Sequence, residues 1–110
     1  LPFSGIASVC YVPNPLAERP VVGLSKLARL VGCFARRLQV QERMTEQIAD
    51  SLNENLRPLG VGVILRAKHS CMSCRGVRLE NSEMVTAAMR GILKEDQEVR
   101  RDFLAYIHSR

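Results

Sequence analysis

The chain has 110 residues, 46% of them hydrophobic, with 16 Lys and Arg against 11 Asp and Glu and a net charge of +5. That length fits one domain over residues 1–110, and no apolar run approaches the ~20 residues of a membrane-spanning helix, so neither a multidomain protein nor a helical membrane protein is expected. Excess base points to an anionic partner, but with no Trp and only 5% aromatics a base-stacking nucleic-acid surface is poorly supported.

Residues 5–12 alternate and carry β-branched side chains, which predicts a strand, ended by Pro13 and Pro15. Ser25 suits an N-cap, and behind it Leu27, Leu30, Val31 and Phe34 repeat at the spacing of an amphipathic helix. A second helix is expected over 40–56, with Val40, Met44, Ile48, Leu52 and Leu56 as its apolar stripe and Pro58 and Gly60 as its stop. Val61, Val63, Leu65, Ala67 and His69 then fall on one side of a strand, with Ile64, Arg66 and Lys68 on the other. Residues 84–93 read as a further strand, weakened by Ala87 and Ala88. Asp96 caps a last helix whose buried face is Val99, Phe103 and Ile107. The order strand, helix, helix, strand, strand, helix predicts an α+β domain, an antiparallel sheet backed by helices.

Four cysteines at uneven spacing, Cys10, Cys33, Cys71 and Cys74, do not make the framework of a small secreted domain, so a reducing, cytoplasmic compartment is expected. The chain opens on Leu1-Pro2-Phe3, which lacks the features of a signal peptide and suggests a fragment of a longer protein.

The stretch HSCMSCRGVR, residues 69–78, concentrates the chemistry. Its C-x-x-C pair would be half of a site in a zinc ribbon, but the second pair is missing, since Cys10 and Cys33 are far apart on predicted regular elements. A redox pair needs a helix after the cysteines, and Arg75-Gly76 stands there instead. Two inert thiols in a loop remain the plain alternative. His69 and Cys71 project to the same side of an extended chain, a proton donor beside one metal ligand, whereas a catalytic zinc needs three ligands. Lys26 and Arg29 are neighbours on the polar flank of the first helix, whose start, with Ser25, makes an anion cradle or else an ordinary solvated face. Gln41-Glu42 opens the second helix, Gln41 leaning by angle toward its apolar stripe and Glu42 lying off it. A carboxylate there compensates the helix dipole, and its two oxygens also match a guanidine-like pair of N–H donors.

Together, GLSKLAR (23–29), RRLQVQERMTEQIA (36–49), RPLGVGV (57–63), HSC (69–71) and RGV (75–77) resemble GTP cyclohydrolase I. The resemblance implies the tunnelling fold (T-fold), whose subunits close a barrel in a pentamer and stack into a homodecamer with sites at subunit interfaces. It implies zinc-dependent conversion of GTP to 7,8-dihydroneopterin triphosphate, the first step toward folate and tetrahydrobiopterin. In that reaction an activated water attacks guanine C8, the imidazole ring opens and formate leaves. By position, Cys71 corresponds to a zinc ligand and His69 to the histidine that protonates the opening ring. Glu42 and Gln41 correspond to residues holding the guanine edge and ribose, and Ser25, Lys26, Arg29 and Arg75 to the triphosphate set.

The family's other zinc ligands lie in a Cys-Glu-His-His segment expected to precede residue 1, so these 110 residues supply one ligand of three. Ala87 and Ala88 stand where the family tends to carry hydroxyl side chains, and Cys74 matches no ligand. The rival reading is a catalytically incomplete subunit of the same fold, with a structural or regulatory role. A basic nucleic-acid-binding domain is a third, and neither specific nucleic-acid nor membrane partners are expected.

Overall fold

Residues 60–65 run without a break through Gly60, Val61, Gly62, Val63, Ile64 and Leu65, all buried, and the rest of the domain is arranged around them. The structure, a computed structural model, describes residues 3–18, 22–35, 40–69 and 83–108. Its elements are β1 (Phe3–Val12), α1 (Leu24–Ala35), α2 (Gln41–Leu56), β2 (Gly60–His69), β3 (Glu83–Gly91), α3 (Ile92–Glu95) and α4 (Gln97–His108). The strands form one antiparallel sheet in the order β1-β2-β3. β2 is central, with Val9 opposite Val63 on one side and Ala88 opposite Val63 on the other.

One face of β2 meets α2. Met44, Ile48, Ala49, Leu52 and Leu56 form a single apolar cluster with Val61, Val63, Leu65 and Ala88, and Leu27, Leu30 and Val31 of α1 pack on its margin. Ile48, Val61 and Val63 are fully buried, and each such side chain contributes about 1.5–3 kcal/mol through area removed from water. The other face is covered too. Ile64 joins Leu93 and Phe103 in a second cluster, with Cys10, Met89, Val99 and Ile107 around it. Ile64, on the side of the strand away from Val61 and Val63, is therefore a core residue of this second face, covered by α4 some forty positions further along the chain.

Three predicted boundaries shift. α1 starts at Leu24, and the N–H groups of Lys26 and Leu27 donate to the Gly23 carbonyl at 3.0 and 3.2 Å. Gly23 is thus the cap, and Ser25 stands inside the first turn. α2 begins at Gln41, with extended backbone at Val40 (φ −70°, ψ 136°) and no side-chain cap. Val40 precedes the helix, escapes its periodicity and is 59% exposed, while Gln41 takes the buried position. The last strand stops at Gly91, and Ile92 and Leu93 belong to the four-residue α3, which is too short to declare a period.

Other signals hold. Asp96 Oδ1 accepts the N–H of Glu98 at 2.9 Å and of Val99 at 3.4 Å, an N-cap for α4. Arg57, in left-handed conformation (φ 47°), ends α2 and donates its N–H to Asn53 O. Tyr11 pins the start of α1 to β1, its hydroxyl accepting the Val22 N–H at 3.1 Å. No described helix is long and apolar enough to cross a membrane.

Candidate functional site

The start of α2 is held by a ring of hydrogen bonds rather than by a cap. Gln41 is 6% exposed, and its Nε2 reaches Leu65 O at 3.2 Å, Met84 O at 3.1 Å and Thr86 Oγ1 at 3.1 Å. Two of these partners are backbone carbonyls, which only accept, so the side-chain amide nitrogen must face the sheet. Thr45 Oγ1 lies 2.8 Å from Gln41 O and 2.7 Å from Thr86 Oγ1. Its one proton goes to the carbonyl, so Thr86 donates to Thr45 and accepts from Gln41. The circuit Gln41, Thr86, Thr45, Gln41 is closed, and it ties the first turn of α2 to both β2 and β3.

Glu42 follows directly and is exposed. It is the acidic residue of the first turn, where the helix dipole favours a negative charge. The carboxylate therefore stands free to accept hydrogen bonds from a ligand while the residue before it is locked to the sheet.

Ser25, Lys26 and Arg29 are exposed on α1, in its first two turns. The two helix starts are anchored at different levels of the sheet. Val22, before α1, is bonded to Tyr11, which lies opposite Val61, whereas Gln41 is bonded at Leu65. Four residues of β2 separate these levels, about 13 Å along the strand. The starts of α1 and α2, which carry Lys26 and Glu42, are thus anchored at different levels of the central strand. His69 closes β2, opposite Phe3, four residues beyond Leu65. Cys71 and Arg75, with Cys74, lie outside the described residues.

Among the described residues no group of three His, Cys, Asp or Glu side chains could hold a metal ion. Cys10 and Cys33 are free thiols. Burial pushes the Cys10 thiol up from its ordinary value, away from the thiolate that a metal binds. A cavity of about 1010 Å³ follows β1, lined mainly by apolar groups including Ile6, Leu27, Val31, Phe103 and Tyr106. Among the described residues, none of the predicted site residues lines it, and Arg66 is its one charged residue.

Sequence reasoning missed Thr45 and Thr86. Thr45 stands one helical turn after Gln41 and was readable as its neighbour, but Thr86 enters only through the β2–β3 register, which pairs it with Leu65. The hydroxyl at this place in β3 is the one just before Ala87-Ala88, and Ala88 is a core residue at 3% exposure.

Residues 1–108 match the family model described as GTP cyclohydrolase I. The GTP cyclohydrolase 1 of Leptospira biflexa is 50% identical over 109 residues, covering 99% of this chain and 57% of that protein. That of Gloeobacter violaceus is 55% identical over 108 residues, covering 98% and 49%, and that of Rickettsia peacockii 53% over 110, covering 100% and 56%. The chain spans about half the length of these relatives. On the match over residues 1–108, the chain belongs to the GTP cyclohydrolase I family.

Proposed function

We propose that this chain carries the guanine-binding and acid–base part of a GTP cyclohydrolase I. The reaction adds one water to GTP, opens the imidazole ring, releases formate and closes the product to 7,8-dihydroneopterin triphosphate. The observation that carries the reading is Glu42, an exposed carboxylate beside a locked helix start in a chain of this family. Its two acceptor oxygens complement the N1–H and 2-amino donors of guanine.

In this reading His69, at the end of β2, delivers a proton to the opening ring, and Ser25, Lys26, Arg29 and Arg75 hold the triphosphate. Positive charge on α1 suits the phosphates, which also gives the net charge of +5 a purpose without nucleic acid. Cys71 is one ligand of a zinc ion, whose chemistry when bound is the activation of water. The described residues by themselves hold no three-ligand set.

The oligomeric barrel of the tunnelling fold also belongs to this proposal, as does a cytoplasmic location. β1 and β3 are the outer strands of the sheet, Ile6 and Val85 on them are 68% and 52% exposed, and the two helix starts sit at different levels. Sites completed by a second copy of the chain agree with all three. The test is turnover of GTP by the native full-length chain and its Glu42→Gln variant, followed by pterin fluorescence and formate release. The reading expects turnover that falls by about a hundredfold or more in the variant, since the anchoring charge is lost. Equal turnover by the two proteins removes Glu42 from the site.

A further inference from the structure

We propose that Thr45 and Thr86 are positioning residues that set the selectivity of Glu42 for the guanine edge, acting through Gln41. This deepens the reading of Glu42 given above and rests on it.

Three observations combine. First, α2 has no side-chain cap, so its first turn lacks the usual support for the N–H groups that have no intrahelical partner. Second, what holds that turn is the closed ring, through one buried amide with contacts to Leu65 O, Met84 O and Thr86 Oγ1. Third, Glu42 is the next residue and is exposed, so its direction depends on the backbone that the ring fixes.

Neither threonine needs to touch a ligand. Thr45 is 1% exposed, and Thr86 is engaged with Gln41 and Thr45. Breaking the ring frees the first turn to fray, and the carboxylate then meets the nucleotide in a range of orientations. A carboxylate with both oxygens aimed at guanine gains from the N1–H and the 2-amino group. One whose aim varies keeps a single contact and loses its preference for the amino group. The consequence is specific: loss of discrimination between GTP and ITP, which lacks that amino group.

The experiment measures kcat/KM for GTP and ITP with the native full-length protein and its Thr86→Val, Thr86→Ser and Thr45→Val variants. Valine matches threonine in shape and removes only the hydroxyl. The inference expects the GTP-to-ITP ratio to fall about ten- to a hundredfold in T86V and T45V, as misplacement of a binding group does. T86S, which keeps the hydroxyl, should recover most of that ratio. A purely structural role would lower the amount of active protein and scale both nucleotides alike. An unchanged ratio in the folded valine variants overturns the inference, and so does failure of both to fold. If the unmodified protein does not turn over GTP at all, the functional reading falls and takes this inference with it. If it does so selectively and the variants keep that selectivity, only the inference falls.

Discussion

Replacing Gly91 with Ala should destabilise the domain by about 2–4 kcal/mol, more than most single-residue changes. Gly91 sits at φ 62° and ψ −135°, where β3 turns into α3. A side chain in that conformation costs about 1–3 kcal/mol in backbone strain. Space is lacking as well, because a Cβ there would stand 2.2 Å from Leu59 O and 3.0 Å from Gly60 Cα, both backbone. The backbone must move, and the bond from Ile92 N–H to Leu59 O, 3.0 Å long, is the first to suffer. Its loss adds about 1 kcal/mol. In a full-length chain of the relatives' size the melting temperature should drop by about 5–15 °C, read by circular dichroism. Gly32→Ala is the contrast, since nothing lies within 4 Å of a Cβ there and the site is inside α1. A G91A protein as stable as its parent would refute the strain argument and the tight β3–α3 turn.

Two more predictions concern the second cluster and its cysteine. Phe103→Ala should cost about 3–5 kcal/mol, since the ring is 8% exposed and packs so closely on Gly62 that a Cβ there would come within 2.7 Å of it. A loss under 1 kcal/mol in chemical denaturation would mean that α4 does not cover the sheet as described. Cys10, raised by burial above its ordinary 9.0, holds its proton more tightly in the folded chain. That contribution is fully present below 9.0 and is lost as pH rises through the higher folded value, so alkali weakens the fold through this group. Alkylation at about pH 8 should therefore mark exposed Cys33 before Cys10, and the reverse order in peptide mapping would contradict the packing.

The parts of the fold visible in the sequence are those that one period fixes. Met44, Ile48, Leu52 and Leu56 recur at helical spacing, and Val61, Val63, Leu65 and Ala67 alternate, because each set faces a single partner layer. Ile64 lies on the opposite side of the strand, as alternation has it, but its burial was not readable because the residue that covers it, Phe103, is distant in sequence. Val40 left the stripe for a local reason, since a helix's period has no authority over the residue before it, while Gln41, which leans toward the stripe by angle, is buried. Ser25 had the right chemistry for a cap, but the carbonyl of Gly23 already receives the first helical bonds. Glu42 and Lys26 were readable as polar flanks, and both are exposed. The ring that holds Gln41 was not readable, since it depends on the register of β3 against β2, a property of two strands and not of either alone.

The central claim is the chemistry, and zinc-dependent turnover in one pair of proteins tests it most directly. The native full-length chain should convert GTP to a fluorescent pterin with one formate per product, and its Cys71→Ala variant should lose both bound zinc and turnover. A variant that keeps its zinc and its rate, or a native chain that leaves GTP intact, would contradict the account.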